Sequence, residues 1–180
     1  MRIAVGCQSR VGKDTFAEIY LNKYEAKSFR FSTKLYEITE NIQSILNKEV
    51  EKDPQLLQTI GRSLQKHYSA DVFARPVVDD IKQFISEYPE KNIIVTDLRF
   101  PHEYTMLKEL GFLFIRIIKN NRIIDRNPND ESENSLLDYD FDFEIYNNLT
   151  LEAFHDSVKS LITSRLFINK CKSICSQKKN

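Results

Sequence analysis

Glycine is scarce in this chain, with four in 180 residues (Gly6, Gly12, Gly61 and Gly111). Cysteine is scarcer still. The three present, Cys7, Cys171 and Cys175, are odd in number and have no metal-ligand spacing, which excludes a disulfide framework and a cysteine-based metal centre. Cys171 and Cys175 stand four apart near a polar tail and read as incidental. No charge of one sign prevails: 26 Lys and Arg balance 26 Asp and Glu, so no global basic field draws the chain to nucleic acid or anionic lipid. No apolar run approaches the roughly 20 residues that span a bilayer, and Met1-Arg2 leads straight into a strand-like run. The expectation is a cytoplasmic protein that acts on small molecules, with no membrane or direct nucleic-acid partner. Repeats and linkers are also missing. With 41% hydrophobic residues, this length fits one globular domain able to bury about 70% of its unfolded surface.

Two of the four glycines flank one short loop, and that loop organises the chain. Ile3-Ala4-Val5 reads as a buried strand that breaks at Gly6. The stretch Cys7-Gln8-Ser9-Arg10-Val11 then delivers Gly12-Lys13-Asp14-Thr15 to the mouth of a helix marked by Phe16, Ile19, Tyr20 and Tyr24. Strand, loop, Gly-Lys, hydroxyl residue and helix is the layout of a phosphate-binding P-loop. Backbone N–H groups at a helix start face an anion and the helix dipole adds positive charge. Gly12 permits close backbone approach, Lys13 supplies a full charge, and the Thr15 hydroxyl suits magnesium. Two departures stand out: Cys7 occupies the place of the motif's first glycine, and Asp14 pushes the hydroxyl one residue along. The competing reading is an ordinary strand–loop–helix with an incidental Gly-Lys pair.

Further along, Lys27 to Phe31 alternates like a strand, and Ser32-Thr33 caps a helix whose first turn carries Lys34, an odd place for a cation unless an anion is near. Asp53-Pro54 starts another helix, within which Gly61 implies close approach of a substrate or a neighbouring backbone. A helix is expected from about Ala70 to Tyr88. Ile93-Ile94-Val95-Thr96 is a run suited to a strand covered on both faces, and it ends at Asp97. That carboxylate reads either as a magnesium holder or as a cap on the next helix. Phe112 to Ile118 is a further strand, interrupted by Arg116. Residues 119 to 140 are polar and expected to be mobile, Phe143 to Tyr146 is a last strand, Thr150 caps a last amphipathic helix, and the basic tail from Asn169 is expected to fray. Strands alternating with helices give an α/β domain with a largely parallel sheet, whose ligands bind at the carboxyl ends of the strands. The histidines, His67, His102 and His155, read as surface or helix-end residues.

Taken together, Gly12-Lys13-Asp14-Thr15, Leu57-Gln58-x-x-Gly61, Asp71-Val72-Phe73, Thr96-Asp97-Leu98-Arg99-Phe100-Pro101-x-Glu103, Ile115-Arg116-Ile117, Glu131-Ser132-Glu133 and Phe143-Glu144-Ile145-x-Asn147-Asn148 resemble, in order, the deoxynucleoside monophosphate kinases of bacteriophages and large DNA viruses. The likeness runs from about Arg2 to Ile162. Phosphomevalonate kinases are similar in the loop, the Asp-x-Arg turn and the Ser-Glu segment. The resemblance implies a three-layer P-loop NTPase fold in one domain over residues 1–168. Its core would be 1–31 and 90–168, an acceptor-binding helical region would occupy about 32–88, and a lid-like segment about 119–140.

It implies transfer of the γ-phosphoryl group of ATP, with Mg2+, to a (deoxy)nucleoside monophosphate, in the cytoplasm of a host if the source is viral. The donor would lie on Gly6, Cys7, Arg10, Val11, Gly12, Lys13, Asp14 and Thr15, with Arg122 and Arg126 closing over it and Asn147-Asn148 either near its adenine, Asn148 foremost, or merely making a turn. Thr15 and Asp97 would serve the metal, and Lys13, Asp14, Asp97 and Arg99 the transfer itself. Lys34, Gln58, Arg62, Lys66, Arg75 and Arg99 would hold the acceptor. Lys66 and Lys119 replace the arginines usual in the family, giving point charges in place of bidentate forks. The alternatives are a phosphomevalonate- or dephospho-coenzyme A-type kinase and a non-catalytic nucleotide-binding interaction protein, and either a monomer or a homodimer is consistent with the sequence. A nucleobase pocket would need aromatic or amide residues near Gln58 and Phe73, whereas phosphomevalonate would need only dense positive charge.

Overall fold

The computed structural model describes residues 1–121 and 131–177. Five strands, β1 (Arg2–Gly6), β2 (Ala26–Phe29), β3 (Asn92–Leu98), β4 (Leu113–Ile118) and β5 (Phe143–Tyr146), form one sheet in the order β2-β3-β1-β4-β5. All four pairings are parallel. Around it lie α1 (Lys13–Lys23), α2 (Thr33–Ile45), α3 (Pro54–His67), α4 (Ala74–Glu87), α5 (Pro101–Glu109), the short α6 (Glu131–Asn134), α7 (Leu151–Thr163) and α8 (Arg165–Gln177).

Strand β1 is central, with Ile3 in register with Ile94 on one side and Leu113 on the other. Its apolar run has no polar alternation because both faces are covered. Ile3, Val5, Ile94, Leu113 and Ile115 pack under α1, α7 and α8 through Phe16, Tyr20, Phe154, Val158 and Phe167. Ala4, Ile93, Val95 and Phe114 pack under α4 and α5 through Val77, Ile81, Tyr104 and Leu107. The result is the three-layer α/β arrangement expected for a P-loop fold, with the sheet between two helical layers.

Local signals explain most element ends. The Asp53 carboxylate accepts from the amides of Gln55 (2.9 Å) and Leu56 (3.0 Å), with Pro54 at the first helical position of α3. Thr150 accepts from Ala153 N–H at 3.2 Å to start α7. Gly111, at φ 74°, follows the end of α5.

Four expectations need correction. Strand β2 stops at Phe29 because Phe31 turns inward and is buried. Helix α4 begins at Ala74, not Ala70. The chain expected to fray from Asn169 continues as α8, held by Phe167 and Cys171, both buried, so Cys171 is a core residue. Residues 131–140, expected to be mobile, are packed. Arg116 Nη2 donates to the carbonyls of Leu136 (3.0 Å), Leu137 (3.0 Å) and Tyr139 (2.7 Å), and its guanidinium lies 4.4 Å above the Phe141 ring. The arginine that interrupts the apolar run of β4 gathers this segment against the sheet. Among the described residues, no helix is long and apolar enough to cross a membrane.

Candidate active site

In an all-parallel sheet the carboxyl ends of the strands share one edge. Here β1 and β3 end side by side, Gly6 in register with Leu98. A Cβ on Gly6 would lie 2.8 Å from both Leu98 Cβ and the Leu98 carbonyl oxygen, so only glycine fits this approach. The chain then leaves the sheet with the Cys7 amide donating to that same carbonyl at 3.1 Å.

The loop coils through three left-handed residues, Cys7 (φ 84°), Arg10 (φ 58°) and Gly12 (φ 106°). The positive φ at Cys7 is the physical reason a P-loop ordinarily has glycine there. A side chain at such an angle costs about 1–2 kcal/mol, and here the thiol is buried among Ala4, Phe31 and Leu98 on the α4–α5 side of the sheet. At the other end, a Cβ on Gly12 would lie 2.8 Å from Asn147 Nδ2 and 3.1 Å from the Phe154 ring. Asn147 Nδ2 donates to the Val11 carbonyl at 2.8 Å, pinning the loop to the end of β5.

Lys13 opens α1 and is buried, its Nζ donating to the Gln8 carbonyl of its own loop. Burial, then the neighbouring Arg99 charge, bring its pKa down to about 8, against the opposing pull of Glu133, Asp97 and Asp14. Thr15 sits in the first turn of α1, half-buried. Asp14 is exposed and pairs with Arg30 at 3.1 Å, a surface contact of small energetic weight.

Asp97 is a bridging residue. Its Oδ1 accepts from Phe31 N–H (2.9 Å), and its Oδ2 accepts from Ser32 N–H (2.9 Å) and Ser32 Oγ (2.7 Å). The carboxylate thus holds the start of α2, a helix distant in sequence, and not the helix that follows it. Among the described residues, no group of three or more His, Cys, Asp or Glu side chains could hold a metal ion. Magnesium on nucleotide phosphates does not require one, since it commonly takes one or two protein oxygens besides phosphate and water. The Thr15 hydroxyl and the Asp97 carboxylate fit that chemistry as hard oxygen donors, with Asp97 suited to contact through a water because its oxygens hold α2.

Arg99 is gripped by its backbone. Glu103 Oε2 accepts from the amides of Arg99 (2.7 Å) and Phe100 (3.0 Å), while Ser135 Oγ donates to the Arg99 carbonyl at 2.7 Å. Glu103 is almost fully buried. Desolvation first, then the Asp97 charge, push its carboxyl up to about 8 against the two amides that favour ionisation. Arg99 Nη1 lies 3.7 Å from Glu133 Oε1, and Glu133 Oε2 accepts from the Ser9 amide of the loop at 3.1 Å.

A cavity of about 260 Å3 opens beside this cluster, with Asp97 and Arg99 in its wall. Of the residues assigned to an acceptor, Gln58, Arg62 and Arg99 line it. Three do not: Lys34 pairs with Glu37 at 2.9 Å, Arg75 pairs with Asp71, and Lys66 is exposed on α3. The rest of the wall includes Phe31, Tyr36, Gln65, Phe73, Phe100 and His102. His102 stands in the first turn of α5, a helix-end residue as expected, and it also lines the cavity; its ring is parallel to that of Phe100 at 5.5 Å, and burial lowers its pKa. A Cβ on Gly61 would meet Leu35 Cδ2 at 3.2 Å, so this glycine answers to packing of α2 on α3.

Asn148 Oδ1 accepts from the Asn120 amide at 2.8 Å, joining the chain after β4 to the chain after β5. Arg122 and Arg126 lie outside the described residues. Sequence reasoning missed His102 and the roles of Glu103, Glu133 and Asn147. Of these, only Glu103 had a readable signal, an acidic residue in the first turn of a helix that Pro101 starts.

No protein-family model matches the chain. No curated protein matches it either. Among solved structures it is similar to an unliganded sugar kinase from Janibacter sp. HTCC2649, with 14% identity, 96% of each chain covered and a TM-score of 0.44, a likeness too remote to assign chemistry.

Proposed function

We propose that the chain transfers the γ-phosphoryl group of ATP to a (deoxy)nucleoside monophosphate. The observation that carries this reading is the makeup of the cavity beside the loop. Its wall combines the amides Gln58 and Gln65, the aromatic residues Phe31, Tyr36, Phe73 and Phe100, and the two guanidinium groups of Arg62 and Arg99. Amides and aromatic faces suit a nucleobase, and two arginines suit one phosphate. A phosphomevalonate site would call for denser positive charge, and the lysines and arginine that could have supplied it, Lys34, Lys66 and Arg75, stand elsewhere.

On this reading the donor phosphates bind the Cys7–Thr15 loop, with Lys13 set against the β/γ oxygens. Magnesium, held through Thr15 and Asp97, supplies neutralisation of phosphate charge. Arg99, placed between loop and cavity by Glu103 and Ser135, steadies the charge on the transferring group. Phosphoryl transfer asks the protein mainly for such positioning and charge stabilisation.

The test is coupled ADP release with a panel of dNMPs, NMPs, phosphomevalonate, dephospho-coenzyme A and no acceptor. Turnover should depend on a nucleoside monophosphate and fall at least about a hundredfold in Lys13→Ala with an unchanged circular dichroism spectrum. Nucleotide binding with no turnover on any acceptor would instead favour the interaction-protein reading, and near-normal turnover in Lys13→Ala would refute the assignment of the donor site.

A further inference from the structure

Glu133 has no part in the transfer described above, yet it is 1% exposed and its carboxylate reaches the phosphate loop. Its Oε2 accepts from Ser9 N–H at 3.1 Å, a main-chain donor of that loop, and its Oε1 faces Arg99 Nη1 at 3.7 Å. It also lies within the field of Lys13. One loop amide and the Arg99 guanidinium thus converge on one side chain from α6, with the Lys13 ammonium in its field. A carboxylate there is a small anion with the same appetite for N–H donors and cations as a phosphate.

We propose that Glu133 is an internal stand-in for a nucleotide phosphate: it keeps the Ser9 amide and Arg99 pre-aimed in the nucleotide-free protein and is displaced when the donor binds. The inference rests on the donor-loop reading above. Displacement follows from charge. A carboxylate and a phosphate cannot share the Ser9 amide, and like charges in a buried site repel strongly. The arrangement has two consequences. The loop need not collapse when empty, because its donors have a partner. Nucleotide affinity is held below what the loop and Lys13 could otherwise deliver, because each binding event first breaks the Glu133 contact. A displaced Glu133 also leaves Arg99 free to turn to the phosphates.

The test compares wild type with Glu133→Gln and Glu133→Ala by calorimetric titration with ADP, ATP and pyrophosphate, with and without magnesium. Glutamine keeps the size and an acceptor oxygen for Ser9 but removes the charge, and alanine removes both. Both variants should bind about tenfold more tightly or better in the absence of magnesium. In the wild type, adding nucleotide should shift the Glu133 carboxyl carbon resonance as its partners change. Unchanged or weaker binding in Glu133→Gln, or a Glu133 resonance that does not respond to nucleotide, would overturn the proposal. Loss confined to the magnesium-containing titrations would overturn it as well, by making Glu133 a metal contact. If Glu133→Gln does not fold, the wild-type resonance and the alanine variant decide. Failure of the wild type to bind any of the three ligands would instead count against the donor-loop reading itself.

Discussion

Replacing Gly12 by alanine probes the loop at its tightest point. The added Cβ would sit 2.8 Å from Asn147 Nδ2 and 3.1 Å from the Phe154 ring, on a backbone at φ 106°. The left-handed angle costs an L-residue about 1–2 kcal/mol. Asn147 must then move, and its 2.8 Å bond to the Val11 carbonyl is worth about another 1 kcal/mol. Phe154 is 2% exposed within the core and has little room to yield. The expected loss is about 2–4 kcal/mol, a drop of roughly 5–15 °C in Tm for a domain of this size. Calorimetry or urea unfolding measures it. A double-mutant cycle separates the parts: in an Asn147→Ala background the clash with Asn147 is relieved, and the backbone cost of about 1–2 kcal/mol remains together with the 3.1 Å approach to the Phe154 ring. A Gly12→Ala protein within about 0.5 kcal/mol of wild type, the ordinary scatter of surface substitutions, would refute the geometry. So would strictly additive effects of the two substitutions.

Glu103 gives a second test. Its folded pKa, raised to about 8 from 4.5, means that its contribution to stability is fully present below about pH 4.5 and is lost as pH rises towards 8. Glu103→Gln keeps an acceptor for the Arg99 and Phe100 amides without the charge, so it should exceed wild type by up to about 3 kcal/mol at pH 7. The advantage should vanish near pH 4; equal stabilities at both pH values would contradict it. Lys13, with its pKa near 8 in the empty loop, should make ADP binding weaken as pH rises above 8, since phosphate itself is fully ionised there (second pKa about 6) and only the ammonium form attracts it. The slope should be absent in Lys13→Ala. A slope that survives in that variant belongs to another group.

The parts of the site that are local in the chain were legible in the sequence. Gly6, Gly12 and Lys13 stand at a strand end, a tight coil and a helix start, each of which demands particular residues within a few positions. The helix starts at Asp53-Pro54 and Thr150 are equally local and were read correctly. What the sequence hid depends on tertiary contact. Asp97 was ambiguous between metal and cap because nothing in the chain says that its partners are Phe31 and Ser32. Lys34, Lys66 and Arg75 have the same chemistry in the sequence as Arg62, and only tertiary placement, which puts Arg62 alone of the four on the cavity wall, distinguishes them. Glu133 sits in an acidic, polar stretch that reads as solvated, whereas the grip of Arg116 on the following carbonyls brings it indoors.

The sheet has a consequence for how this protein comes into being. Strand β1 carries the loop, yet its two neighbours, β3 and β4, arise far downstream, and among the described residues no hairpin supplies an early nucleus. Non-local parallel pairing is slow because chain closure must precede any reward from contact. A nascent chain that has emerged only as far as α4 therefore holds every residue of the loop without its fixed form. On the function proposed above, ligand capture is a late readout of maturation, and the first fifteen residues excised as a peptide would grip nothing.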